Sequence, residues 1–505
     1  MRVLSISGIF LVATTQIVAG NNLNLAEERA AAVQQAFQLS WDAYYEHAFP
    51  HDQLKPVSQG ADDSYGGWGA TALDALDTAI LMNNQQVVDQ ILDYVPTINF
   101  RSSSQGTVSL FETTIRYLGG LLSAYDLLNG PFSHLINDTS RATTLLTQAD
   151  ELAQSLKIAF NSETGMPYNG IDVGNQAIQG DPTNSLATIG TLVLEWTRLS
   201  DLTGNPEYGN LSQKAAPYLF NPQPSWASPW PGLVPNNLNI STGEFISDAI
   251  NWDGGSDSYY EYLIKAYIYS PSQFSSYRDT WEAAVNSTIA NLLQNTTTSS
   301  GQNLAYISTW DNGTFSSSMG HLVSFIGGNF LLGGSVLQRQ DIIDYGILLT
   351  DGWYAAYSSS ATKIGPGALS WNATAAADAG QSDQYDQLGF YYTAPQYVLR
   401  PETLESYYYA YRITGDQKYR DWSWEAFVGI NSTCWTGSGY AEINNVDDTN
   451  QGGGFNDLQD SFLLAEVWKY AYLIQTDDAV WQVGKNGTNQ FVYNTEAHPI
   501  KVKGN

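Results

Sequence analysis

Two stretches far apart in the chain repeat one pattern: Trp196-Thr-Arg-Leu-Ser-Asp-Leu-Thr-Gly-Asn-Pro-Glu-Tyr208 and Tyr409-Ala-Tyr-Arg-Ile-Thr-Gly-Asp-Gln-Lys-Tyr419. In each, an apolar-periodic segment stops at Thr-Gly, where glycine can take the left-handed conformation that closes a helix. A polar turn then leads to a Tyr starting the next segment. A helical hairpin used more than once cannot bury its apolar face alone, so the units must stack into a solenoid or close into a toroid. Apolar residues recur at spacings of three and four in windows 70–82, 113–128, 185–202, 259–268, 402–413 and 461–474, and no run of alternating strands competes. At 505 residues and 43% hydrophobic there is material for one large core, and no composition shift marks a second domain. The expectation is a single all-α domain over 21–505. Stretches 221–243 and 365–396, rich in Pro, Gly, Asn and Ser, read as loops over one rim.

The first twenty residues predict a signal peptide: Met1-Arg2, an almost uncharged apolar run from Val3 to Val18, then the small pair Ala19-Gly20. That run is shorter than the roughly 20 residues a spanning helix needs, so no stable membrane association is expected and the mature protein should be secreted. Residence in the endoplasmic reticulum or Golgi fits the same signal, although 501–505 carries no evident retention motif. Nine Asn-x-Ser/Thr sequons, at Asn137, Asn210, Asn239, Asn286, Asn295, Asn312, Asn372, Asn431 and Asn486, suit that route. Cys434 is the only cysteine, so no intramolecular disulfide can form. The net charge of −29 argues against nucleic acid and anionic membranes as partners, because phosphate binding relies on Lys and Arg. A monomer with a neutral or cationic ligand is expected.

Three predicted helices begin with an acid: Glu112 after Ser109-Leu-Phe, Asp257 and Glu261 in Gly255-Ser-Asp-Ser-Tyr-Tyr-Glu261, and Glu402 after Arg400-Pro401. Capping accounts for the spacing, since Ser109 with Glu112 and Ser258 with Glu261 fit the Ser-x-x-Glu box and Pro401 suits a first helical position. The functional reading uses the toroid: alternate helix starts lie on one rim, so acids distant in sequence can converge at its mouth. Two carboxyl groups suffice for glycoside hydrolysis, about 6.5–9.5 Å apart for inversion or about 5 Å for retention. The 32 Tyr and 15 Trp could stack on sugars, though most aromatics in such a chain are core.

At these residues the sequence resembles the class I α-1,2-mannosidases, family 47 of the glycoside hydrolases. The resemblance runs in order through Trp41-Asp-Ala-Tyr44, Gly67-Trp-Gly-Ala-Thr-Ala-Leu-Asp-Ala-Leu-Asp77, Ser109-Leu-Phe-Glu-Thr-Thr-Ile-Arg-Tyr-Leu-Gly-Gly120 and Asp257-Ser-Tyr-Tyr-Glu-Tyr-Leu-Ile-Lys265. It continues through His321-Leu-Val323, Arg400-Pro-Glu-Thr-Leu-Glu-Ser406, Ala465-Glu-Val-Trp-Lys-Tyr470 and Tyr493-Asn-Thr-Glu-Ala-His-Pro499. It implies an (α/α)7 barrel with a central cavity, and a calcium-dependent inverting hydrolase of terminal α-1,2-mannose on Man9GlcNAc2-type high-mannose N-glycans. The family's proton donor falls on Glu112, acting through a water, its base candidate on Glu402, and a third essential carboxylate on Asp257. Substrate or water-shell positions fall on Arg116, Glu195, His321, Arg400, Glu405, Phe462, Glu466 and Glu496. The resemblance assigns Ca²⁺ to the hydroxyl and carbonyl of Thr495, with waters held by acids completing the shell. Six to eight oxygens suit calcium, but spacing alone would never mark Asn494-Thr495-Glu496 as a metal site.

The sequence departs from the family pattern in three places. Ser324 stands where a Cys is usual, and the partner Cys near Asp351-Gly-Trp353 is absent with it. Ile364-Gly-Pro-Gly367 replaces a usual Gly-Pro-Glu, and Asp460 replaces a usual Glu. The change at Gly367 keeps open a mannose-glycan-binding relative with weak catalysis, acting in glycoprotein quality control. Another helical-toroid hydrolase, acting on plant or microbial polysaccharide, fits the composition but not the ordered motifs.

Overall fold

Both Thr-Gly helix ends form as the sequence requires. Helix Val193–Thr203 is closed by Gly204 at φ 70° and helix Glu402–Thr414 by Gly415 at φ 74°, each a left-handed stop followed by an outer helix. The computed structural model describes residues 22–504, so the expected signal peptide at 1–20 lies outside the described residues.

Among the described residues the helices alternate between two rings. Seven inner helical segments follow in order: Ala70–Leu81, 110–128, 186–203, Asp257–Tyr269, Ile326–Leu337, Glu402–Thr414 and 463–473. Each packs on the next, and 463–473 returns to pack on Ala70–Leu81, which closes the ring. Between them run seven outer segments: Asn22–His47, Gln85–Tyr94, Ser140–Leu156, 206–220, Ser275–Asn291, Gln340–Ser359 and Lys418–Thr433. This is an (α/α)7 barrel. Every residue of Ala70–Leu81 is buried, because an inner helix is covered by neighbours on both sides and by its outer partner. Among the described residues, no helix is long and apolar enough to cross a membrane.

Two expectations need correction. Short antiparallel strands of two to five residues do occur; Val108–Ser109 and Thr183–Ser185 lead directly into inner segments, and Ser318–Gly320 leads into one through the helical turn His321–Phe325, so hairpins build the rim from which those segments descend. Stretch 365–396 is correspondingly ordered, with strands Ala368–Ser370 and Tyr391–Ala394 flanking helices Ala373–Asp378 and Ser382–Leu388. Likewise Asn237–Asn239, within 221–243, pairs with Thr183–Ser185. Strands this short hold too few residues for alternation to stand out.

The chain ends in a hairpin, Phe491–Tyr493 with Pro499–Lys501, that packs on the inner segments 110–128, 186–203 and Asp257–Tyr269 and plugs the barrel. Its turn nests against Gly119 and Gly120, where an added Cβ would stand 2.6 Å from Asn494 Nδ2 and 2.7 Å from the Leu73 carbonyl oxygen. Gly119 therefore lets the plug's turn seat closely, and Gly120 lets its helix approach the backbone of Ala70–Leu81.

Candidate active site

The barrel encloses a cavity of about 640 Å³, lined among others by Glu112, Asp257 and Glu402, so the three acids from separate helix starts do share one space. Arg116, Arg400, Phe462, Glu466, Thr495 and Glu496 line it too. At its base a smaller recess of about 50 Å³ adds Glu261 and Glu405 to Asp257, Glu402, Glu466 and Thr495. His321 and Glu195 line neither space and stand behind the wall as supports.

Capping explains only part of the acid placement. Ser109 Oγ does accept the Glu112 amide at 3.2 Å, but the Glu112 carboxylate turns away to Arg116, 3.0 Å from its Nε. The expected box at Ser258 and Glu261 does not form. That helix starts at Asp257, Ser258 Oγ accepts from Thr191 at 2.8 Å, and Glu261 is spent on the buried Lys265. Pro401 sits just before the helix, leaving Glu402 as its first residue.

Glu402 and Asp257 share a burial cost but not its outcome. Burial pushes Glu402 up, yet the hydrogen bond from His321 (Nδ1 to Oε2, 2.7 Å), the His321 charge and Arg400 outweigh it and hold the carboxyl below its ordinary value. The other ring nitrogen of His321 meets Tyr357 Oη at 2.7 Å, which fixes the ring. Asp257 has one compensating backbone hydrogen bond, from Ser258. Burial, with the charges of Asp253, Glu261 and Glu402, pushes it up to about 7. The cavity thus holds an ionised carboxylate beside one poised to carry a proton, a separation used by acid–base sites.

Arg116 organises the opposite wall. It bonds Glu112, Glu496 and Ser461 and lies 3.6 Å from Asp74, while Tyr65 and Phe462 cover its guanidinium at 4.4 and 5.8 Å from the ring centroids. Burial opposes its charge, but Glu496, Glu112 and Asp74 outweigh this and hold it cationic. Arg116 and Glu466 both come from π-helical turns, Thr113–Leu118 and Leu463–Val467, where a widened helix re-aims side chains. The 3.6-residue periodicity gave no sign of either turn.

The plug's turn presents Thr495 and Glu496. Asn494 Oδ1 accepts the Glu496 and His498 amides, both at 2.8 Å, and its Nδ2 donates to the Ile115 carbonyl and to Glu195. Glu195 also accepts from Tyr262 at 2.6 Å, and burial carries its carboxyl up to about 7. Beneath, His498 lies between Asp77 (2.7 Å) and Asp74 (3.3 Å), and Lys469 bonds both Asp77 and the Ala497 carbonyl. Burial pulls His498 down, but Asp77 and Asp74 prevail and lift it to about 9, so it is charged at neutral pH.

The recess suits a hard cation in its donors: Thr495 and carboxylates, all oxygen. Among the described residues no three His, Cys, Asp or Glu side chains converge closely enough to hold a metal directly. An ion there would take Thr495 and a shell of water. Glu405 and Glu466 are both raised, by burial first; Lys265 tempers Glu405, Arg116 tempers Glu466, and neighbouring carboxylates add to the rise in each.

At the first departure, Ser324 Oγ accepts from Thr403 at 2.9 Å, which ties it to the Glu402–Thr414 helix rather than to the 351–353 segment that the resemblance pairs with it. Gly367 lies outside the cavity wall. Its carbonyl accepts the His321 amide at 2.9 Å and its amide donates to Gln396 at 2.7 Å, so it positions the backbone behind Glu402. Asp460 does line the cavity, beside Glu442, which sequence reasoning passed over. Asp52 was passed over as well. Its carboxylate takes the amides of Tyr65, Gly67, Trp68, Gly69 and Ala70 and so fixes the entry to the first inner helix. Scattered single acids of this kind carry no spacing signal.

The model of glycosyl hydrolase family 47 matches residues 36–502. The chain is 53% identical over 482 residues to the probable mannosyl-oligosaccharide alpha-1,2-mannosidase 1B of Aspergillus clavatus, covering 94% of this chain and 93% of that protein. It is 51% identical over 491 residues to the mannosyl-oligosaccharide alpha-1,2-mannosidase of Penicillium citrinum, covering 97% and 95%. Among solved structures, the alpha-1,2-mannosidase from Trichoderma reesei superposes with a TM-score of 0.90 at 47% identity, over 94% of this chain and 99% of that one.

Proposed function

The chain belongs to family 47 of the glycosyl hydrolases, and from that membership we propose that it is a secreted, calcium-dependent exo-α-1,2-mannosidase that trims high-mannose N-glycans with inversion. The α-1,2-mannosidase activity itself rests on relatives of about half identity over nearly the whole length. The observation that carries the chemistry is the pairing of Glu402 with His321 beside a raised Asp257 in one closed-ended cavity.

In this reading Glu402, kept ionised, takes a proton from a water that attacks the anomeric carbon from the face opposite the leaving oxygen. Glu112 supplies the proton to that oxygen through a second water, and Arg116 holds its carboxyl group in place. Asp257 bonds to sugar or water beside Glu402. Phe462 offers an apolar face to the ring, and Glu466 and Glu496 accept its hydroxyls. Glu195 and His321 position other groups: Glu195 holds the turn that presents Thr495, and His321 aims Glu402.

Thr495 is the proposed ligand for calcium, with Asp257, Glu261, Glu405 and Glu466 ordering its waters. Bound there, calcium would supply the positive, oxygen-binding centre that this acid-rich recess favours. Residues 21–505 form the mature single domain, acting as a monomer after removal of 1–20. The binding-protein alternative rests on the carboxylate missing at Gly367, and relatives of about half identity named as mannosidases favour the enzyme.

Mass spectrometry of Man9GlcNAc2 after incubation with the purified protein, in calcium and in excess chelator, tests the reading. Stepwise loss of hexose that stops on chelation is expected. Folded protein that binds the glycan and removes nothing would overturn it.

A further inference from the structure

Resting on the reading that the chain passes through the secretory pathway, we propose that Asn312 carries an N-linked glycan whose first sugars lie over an aromatic shelf formed by Trp230, Trp310 and Phe315. Asn312-Gly313 is the two-residue turn of hairpin Thr309–Asp311 with Thr314–Ser316, closed by the Asp311–Thr314 pair. Both turn residues are left-handed, Asn312 at φ 45° and Gly313 at φ 82°, as such a turn demands. The whole sequon Asn312-Gly313-Thr314 is exposed, whereas the hydroxyl residue is buried in the sequons at Asn210, Asn286 and Asn431. A glycan at Asn312 therefore projects from the surface without disturbing a packed side chain.

The shelf gives that glycan a place to rest. Trp310 and Phe315 face each other across the hairpin. Trp230, from a separate loop, packs edge-on against Trp310 at 5.3 Å and nearly parallel to Phe315 at 6.3 Å between ring centroids. Phe315 remains 44% exposed, an unusual cost for a large aromatic on a three-residue edge hairpin. Trp310 is two residues from Asn312, about 7 Å along a strand, within the span of the first sugar rings. The C–H face of a pyranose is apolar, so laying it on the rings removes apolar surface from water on both sides.

In the transfer, Asn312 Nδ2 bonds to the anomeric carbon of a lipid-pyrophosphate-linked oligosaccharide. The anomeric C–O bond breaks, lipid pyrophosphate leaves, and the amide gives up one proton to the compartment's transferase.

The test secretes the full chain from a eukaryotic host and trims it with an endoglycosidase that leaves one GlcNAc. The sequon peptides are then mapped by mass spectrometry, and thermal unfolding is compared. The Asn312 peptide is expected to carry GlcNAc. Thr314→Ala should remove it and lower the unfolding midpoint by about 1–2 °C, while Thr314→Ser keeps both. In a Trp230→Ala or Phe315→Ala background the same Thr314→Ala change should no longer shift the midpoint. Bare Asn312 with other sequons occupied would overturn this inference and leave the secretory reading standing; bare sequons throughout would overturn both. An equal midpoint shift with and without the aromatic residues would overturn the shelf.

Discussion

Two buried acid clusters lie one above the other in the barrel, and they behave in opposite ways. In the lower one, under the plug, burial raises Asp77 but Lys469 and His498 more than compensate, and its carboxyl ends below the ordinary value. In the upper one, around the cavity, Glu402 is lowered by its pairing with His321, but Asp257, Glu405 and Glu466 are raised, because the other nearby cations are engaged: Lys265 by Glu261, Arg116 by Glu112 and Glu496. The residue types are alike, but the lower acids are fully buried with their counter-charges, whereas the upper ones border the cavity with fewer. A balanced cluster fixes a fold, and an unbalanced one keeps its acids available to protons, cations and sugar hydroxyls. The turn 494–498 joins the two, since Asn494 and His498 are held from below while Thr495 and Glu496 face upward.

That contrast can be broken by substitution. The largest effect is expected for Glu402→Gln in the upper cluster: turnover of an α-1,2-mannobiose should fall by about 10²–10⁴-fold, as for loss of a general base, with the protein still folded by circular dichroism. A variant that keeps its turnover would remove Glu402 from the chemistry. Next is Lys469→Met in the lower cluster, which leaves Asp77 without its strongest partner. Urea unfolding should show a loss of about 3–5 kcal/mol, and an unchanged midpoint would mean that the lower cluster is not structural.

A smaller, pH-dependent effect is expected for Glu195→Gln at the junction. Glu195 faces the Tyr262 hydroxyl, the Asn494 amide and the charge of His498, and burial raises it from 4.5 to about 7. Folded protein therefore holds this proton more tightly than unfolded protein. Its contribution is full below about pH 4.5 and is lost as pH rises to about 7, by up to about 3 kcal/mol. Unfolding followed across that window should show a decline that the Gln variant lacks, and parallel curves would contradict the assignment.

How much of this was legible in the sequence depended on whether a signal was periodic or single. The Thr-Gly stops gave the hairpins, and ring closure followed because repeated hairpins need neighbours. The acids at 112, 257 and 402 were visible as helix starts, but capping explained them equally well until the structure turned Glu112 toward Arg116 and Glu261 toward Lys265. The π-helical turns could not be read, since one extra residue in a helical turn leaves an apolar pattern almost unchanged. Nor could the lower cluster: Asp74 and Asp77 meet His498 only because the last hairpin threads back through the ring. Thr495 was reached by family resemblance alone, and the structure adds the oxygen-rich recess around it.

The most direct test of the central claim is the anomer first released. Proton NMR of α-1,2-mannobiose hydrolysis, recorded before mutarotation and with calcium present, should show β-mannose accumulating first, as required if Glu402 activates a water on the face opposite the leaving group. α-Mannose appearing first would mean retention through a covalent intermediate, and would contradict the roles given to Glu402 and Glu112.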